Sequence, residues 1–265
     1  MNAWYQQQFD KALTTQYDER FSAVEGLTWL PWVGKNFQDT RVLIVAESHY
    51  TNKATPEEAQ IGKKEYMEDK YSTREVFAEY PMIGYEAGWT NHGGRHNNPT
   101  FDNIFRVLLS NDLLGEKSRM QREKLCSALG FVNIVQRPMW FPPRESGYPK
   151  ERPNPEDMIT GWKVIKQVLA ILKPDLCWFA GSEAAKFLHW YMDQVGISHD
   201  EVHVCGKIGH TYAREVNVLI DGKQIPLKFS QHPSQYFSWE SWQKFIFDDK
   251  CAHVQQKLLQ YMASR

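Results

Sequence analysis

The chain has 265 residues, enough for one large α/β domain, and 42% hydrophobic with 24% charged residues suits a globular protein that buries a sizeable core. A net charge of −1 excludes a histone-like polycation that binds by bulk charge, but leaves room for a local basic groove. The four cysteines (Cys126, Cys177, Cys205, Cys251) form no C-x-x-C pair, which argues against a zinc ribbon or iron–sulfur cluster and suits reduced thiols in a cytoplasmic protein.

The opening MNAWYQQQFD lacks the basic and apolar regions of a signal peptide, and no apolar run approaches the roughly 18 residues that span a bilayer. Residues 3–24 carry a weak helical pattern that Gly26 closes. RVLIVAE (Arg41 to Glu47) is a continuous apolar, β-branched run, the mark of a strand buried on both faces. Residues 51–97 are polar, contain the mixed-charge run GKKEYMEDK, and read as a long, partly mobile insertion or lid.

Phe101, Ile104, Phe105, Leu108 and Leu109 recur at helical spacing, with Gly115 as the stop. FVNIV (Phe131 to Val135) is a second buried strand. In PNPEDM, Asn154 caps a helix, Pro155 takes its first position, and Glu156 and Asp157 face the positive end of the helix dipole. Ile159, Trp162, Ile165, Leu169 and Leu172 form its inner face, and Lys173-Pro174 ends it.

DLCWFAG (Asp175 to Gly181) is a third strand, followed by a helix capped by Ser182 that carries Phe187, Leu188, Tyr191, Met192 and Val195. EVHV (Glu201 to Val204) suggests a fourth strand, VNVLIDGKQIPLKF a hairpin turning at Asp221-Gly222, and a last helix starts near Trp239. Strands alternating with helices predict a single three-layer α/β/α domain with a central, mostly parallel four-stranded sheet. Ligand sites in such sheets lie beyond the carboxyl ends of the strands. That rule gathers Glu47 to Tyr50, Asn133 to Pro138, Gly181 and His232 to Ser234 at one rim.

Three groups at that rim carry chemistry. Glu47 can polarise a water or offset positive charge in a transition state, although a helix-capping carboxylate would look the same. Asn133 interrupts an apolar strand with an amide able to contact a base edge, or to bond backbone in the core. In SQHPSQYFSW, His232 can donate to an oxygen gaining negative charge, Ser234 can hold a phosphate, and Tyr236 and Phe237 can wedge into a base stack; a turn with an exposed aromatic cluster is the plainer alternative. The Pro-rich loop after the second strand brings Arg137, Arg144, Lys150 and Arg152 against Glu145 and Glu151. His92 and His96 have metal-ligand spacing, but on a Gly/Asn-rich loop without nearby cysteine they point to no metal site.

These segments resemble the uracil-DNA glycosylase superfamily. VLIVAESHY resembles its first motif, an apolar strand ending in G-Q-D-P-Y-H or, in the iron–sulfur group, G-E-A-P-G. FVNIVQRP resembles N-V-V-K-C-R-P; NPEDM with IKQVLAILKPDLCWFAGSEAAKFL resembles the T-P-E-E helix and the strand and G-x-x-A-A-K-x-L turn after it. PLKFSQHPS resembles the strand ending in H-P-S, and NPTFDNIF resembles P-P-S-L-x-N-I. The ordered set spans residues 42–234.

The resemblance implies a base-flipping hydrolase of DNA, single- or double-stranded, that needs no metal or other cofactor. It would make Glu47 the acid that positions water, His232 the support of the leaving base, Asn133 the base reader, and Tyr50 the ring that excludes a thymine methyl. Ser48 and His49 stand where the family has Asp or Ala, then Pro, so His49 is either an added pocket donor or a substitute loop residue. The group's four cysteines and the P-L-S-x-x-R that follows H-P-S are missing, so no cluster is expected and the DNA wedge would be aromatic. The target base stays open among uracil, hypoxanthine and modified cytosine. A non-catalytic nucleic-acid or nucleotide-binding module and an unrelated small-molecule hydrolase are the alternatives.

Overall fold

The structure, a computed structural model, describes residues 10–78, 90–91, 95–96, 99–110, 116–234 and 236–264. In chain order the strands that matter are β1 (Trp32–Val33), β2 (Val42–Ala46), β3 (Tyr50–Thr51), β4 (Leu129–Asn133), β5 (Met139–Trp140), β6 (Leu176–Ala180), β7 (Ser198–His199), β8 (His203–Ile208), β9 (Thr211–Ile220) and β10 (Lys223–Ser230). The principal helices are α1 (Asp18–Ser22), α2 (Phe37–Thr40), α3 (Pro56–Glu68), α4 (Ser72–Ala78), α5 (Pro99–Leu109), α6 (Glu116–Ala128), α7 (Pro155–Leu172), α8 (Leu188–Gln194), α9 (Trp239–Ile246) and α10 (Ala252–Ala263).

The central sheet is larger than the four strands expected. It has eight, in the order β1-β4-β2-β6-β10-β9-β8, with β7 paired to β9. Its middle is a parallel run of four, β4-β2-β6-β10, and antiparallel strands extend it on both sides. Strands β1 and β7 escape sequence reading because each is two residues long, and of the exposed edge strand β8 only the part within EVHV is marked.

Alternation along the parallel strands divides the core. Val42, Ile44, Phe131 and Trp178 face one cluster, shared with α5, α9 and α10. Leu43, Val45, Val132, Phe179 and Phe229 face the other, shared with α7 and α8. Helices therefore cover both faces, which is why these strands read as unbroken apolar runs. Trp178 donates its indole N–H to Ser230 Oγ at 2.8 Å, so this fully buried ring keeps its polar atom bonded.

Helix α7 follows its expected bounds. Asn154 and Asp157 form a reciprocal capping box ahead of Pro155. Gly161 brings the helix against the strand layer: a Cβ there would overlap the carbonyl of Ile134, next to Asn133. The β9–β10 hairpin turns through Asp221 (φ 46°) and Gly222 (φ 75°), both left-handed, as a two-residue turn with strand twist requires. That hairpin delivers the H-P-S segment to the rim.

Three expectations need correction. Residues 3–24 do not form one helix within the described residues: 10–12 are helical, Leu13 bridges to Gly34, and α1 covers only five residues. Ser182 makes no side-chain cap, and a 3-10 turn over Glu183–Ala185 precedes Phe187, which adopts φ 52° and points outward before α8 begins. EVHV contributes its last two residues to β8, an antiparallel edge strand. Within the 51–97 insertion, residues 56–78 are fastened to the rest of the chain. Arg74 makes a two-point ion pair with Asp18 (2.5 and 2.9 Å) and bonds the Pro31 carbonyl, while Trp29 and Leu30 donate to the carbonyls of Tyr66 and Lys70. The Gly115 stop, His92, the His96 side chain and much of 79–97 lie outside the described residues.

No helix among the described residues is long and apolar enough to cross a membrane.

Candidate active site

The four parallel strands end on a common rim, and the residues that follow them line one cavity of about 620 Å³. Glu47 follows β2, Asn133 ends β4, Ser182 follows β6 and His232 follows β10; all four border it. The size falls inside the roughly 300–1,000 Å³ typical of ligand pockets.

Glu47 is half-buried. Tyr50 donates its hydroxyl to Glu47 Oε1, while a Cβ placed on Gly181 would lie 3.8 Å from Oε2. Burial, and then the charge of Glu47 and its hydrogen bond, push the Tyr50 phenol far above its ordinary range, so it stays protonated. The Tyr50 ring meets Phe141 edge-on at 6.0 Å and carries the Lys150 ammonium 4.5 Å from its centre.

His232 makes no side-chain hydrogen bond to a described residue. Burial lowers its pKa, Lys150 lowers it further and Glu47 opposes them, leaving a neutral imidazole at physiological pH. Ser234 also lines the cavity. Its carbonyl and that of Pro233 accept from Asn103 Nδ2 (3.0 and 3.3 Å), so α5 braces the H-P-S turn.

Asn133 and His49 are both buried and bonded to each other: Asn133 Nδ2 lies 3.1 Å from His49 Nε2, and Thr73 Oγ1 lies 2.9 Å from the same nitrogen. His49 stacks on Tyr66 (5.1 Å, 9° between planes) and meets Trp29 edge-on at 4.5 Å. Burial lowers the His49 pKa to about 3. Ser48 borders the cavity, but its hydroxyl donates to the Arg137 carbonyl at 2.6 Å, which ties the β2 loop to the Pro-rich loop.

The expected DNA contacts divide. Tyr236 is 95% exposed and left-handed (φ 62°), strain that no packing explains and that suits an interaction made outside the chain. Phe237, expected beside it as a wedge, is buried in the core and stacks on Trp242, because the turn at Tyr236 sends successive rings in opposite directions. Arg137 is engaged internally, with two points on Asp157 (2.6 and 2.8 Å) and one on Glu151 (2.5 Å). Arg144 is exposed on a 3-10 turn and pairs with no described residue.

Lys150, Arg152, Glu183, Asn103, Thr73 and Tyr66 complete the surroundings; Lys150 and Arg152 belong to the cationic Pro-rich loop read from the sequence, and the other four carry no role there. Glu183 follows β6 as Glu47 follows β2, so the strand-end rule could have found it. Nothing in the polar run around Tyr66 and Thr73 signals their place. Among the described residues, no three His, Cys, Asp or Glu side chains group to hold a metal.

No family model and no curated protein matches the chain.

Proposed function

We propose that this is a monofunctional DNA N-glycosylase with a uracil-DNA glycosylase-like α/β/α fold, hydrolysing the bond between deoxyribose and a flipped base. One observation carries the reading. Glu47, Asn133 and His232, far apart in sequence, face one cavity at the carboxyl ends of the parallel strands.

The chemistry follows from what each group offers. A base extruded into the cavity leaves as an anion, and the neutral His232 can donate an N–H to its carbonyl oxygen. The Lys150 ammonium adds positive field on the same side. Glu47, with Oε1 held by Tyr50, keeps Oε2 for water and for the positive charge growing on the sugar. Asn133 addresses the base edge. Tyr236 and Tyr148 are exposed rings beyond the cavity lining and Phe141 is an exposed ring at its edge, for stacking on unpaired bases, with Arg144 beyond the lining and Lys150 and Arg152 at it for phosphates.

The test is to incubate the protein with oligonucleotides bearing uracil, hypoxanthine or modified cytosines and to score alkali-labile abasic sites. Product from at least one base supports the reading. DNA binding without product across the panel would identify a non-catalytic binder, and no DNA affinity at low salt a small-molecule enzyme.

A further inference from the structure

Asn133 does not act alone. Its Nδ2 lies 3.1 Å from His49 Nε2 and 3.4 Å from Thr73 Oγ1, and the Thr73 hydroxyl lies 2.9 Å from His49 Nε2. Three buried side chains therefore close a ring of hydrogen bonds. A neutral imidazole has one nitrogen without a proton, and Nε2, facing the Asn133 amide N–H, is that nitrogen; the proton sits on Nδ1. Thr73 directs its single hydroxyl proton to Nε2 and accepts from Asn133. The Asn133 amide hydrogens are thus held inside the ring, and Oδ1, which bonds no described residue, remains for the cavity.

We propose that Thr73 and His49 fix the Asn133 amide so that it presents an acceptor only, and that the site therefore takes a nucleobase with an exocyclic amino group, of cytosine or adenine type, over its oxo counterpart. This rests on the base-excision reading of the cavity. An amino group at Oδ1 donates to it. A carbonyl in the same place meets a lone pair and is buried without a donor, which buried polar groups tolerate poorly. The ring is itself held rigid. Thr73 lies on α4, one residue before Arg74 with its ion pair to Asp18, and His49 is clamped by Tyr66 and Trp29. Residues 56–78 are thereby a specificity element.

Tautomer and base preference are measured separately on the full chain. Nitrogen-15 spectra of labelled histidine are expected to show His49 protonated at Nδ1; a proton on Nε2 overturns the proposal. Calorimetry with free cytosine and free uracil is expected to favour cytosine by roughly tenfold. Thr73→Val abolishes that preference and Thr73→Ser restores it. Equal binding of the two bases, binding of neither, or a preference unchanged in Thr73→Val overturns the assignment; if Thr73→Val does not fold, the tautomer and the wild-type preference decide. Release of uracil alone from the oligonucleotide panel keeps the glycosylase reading and sinks the acceptor-only amide. Absence of product from every oligonucleotide with cytosine still preferred does the reverse.

Discussion

Two buried polar regions sit on the same sheet and are built in opposite ways. On the β9–β10 hairpin, Lys228 is 1% exposed and faces its cross-strand partner Glu215. Its ammonium bonds Glu215 and also Asp248 at 2.7 Å, Lys250 adds a second cation on Glu215 at 2.5 Å, and the Phe245 ring closes over it. At the rim, by contrast, Glu47 Oε2, Asn133 Oδ1 and the His232 ring bond no described residue. Charge matched to charge holds a scaffold together. Polar atoms left with open valences beside a cavity are room kept for a ligand, and the protein forgoes stability to keep it.

The sharpest way to break this contrast is to remove one member from each region. Lys228→Ala should destabilise the fold by roughly 3 kcal/mol in urea unfolding, because Glu215 and Asp248 lose the buried cation they share and only Glu215 keeps another, Lys250. The folded fraction should keep its base-release rate. Glu47→Gln should do the opposite, lowering that rate by roughly 10²–10³-fold while unfolding stays within about 0.5 kcal/mol of wild type. A Glu47→Gln protein as unstable as Lys228→Ala would erase the distinction.

Acid sharpens it further. Unfolded, His49 takes up a proton below pH 6.5; folded, it does not until about pH 3. The unfolded state thus binds more protons across that window, so this stability is complete above pH 6.5 and is lost as pH falls through it. The loss should reach roughly 2 kcal/mol by about pH 5, with His232 adding in the same direction. Thermal unfolding of His49→Gln should show a shallower slope between pH 6.5 and the carboxylate range. The smallest effect belongs to the surface: Tyr236→Ala should weaken single-stranded DNA binding by roughly tenfold, measured by fluorescence anisotropy, without lowering the melting temperature.

What could be read from the chain follows the physics of each element. Three of the four parallel strands, β2, β4 and β6, were legible because burial on both faces demands unbroken apolar runs, whereas β10 read only as one arm of a hairpin; three chemical groups were legible because strand ends are where such sheets place ligands. Helix α7 announced itself through Asn154-Pro155. Thr73 and Tyr66 were hidden because they lie among polar residues, where helical pattern carries little signal; their role depends on a fold-back onto Trp29 and Pro31 that no local rule gives. Phe237 looked like Tyr236 because adjacent aromatics are indistinguishable until a left-handed residue turns the backbone between them. Arg137 looked like a phosphate ligand because its carboxylate partners are 14 and 20 residues away.

The fastening of residues 56–78 has an evolutionary consequence. Glu47 and His232 sit on strand ends, whereas the tilt of the Asn133 amide depends on a short helical stretch anchored elsewhere, at Asp18 and Pro31. On the proposed base-excision reading, exchange of that stretch would change the base recognised while the cleaving groups are inherited intact, so a lineage pursuing changing chemical marks on DNA could vary one cassette and leave the strand-end residues alone.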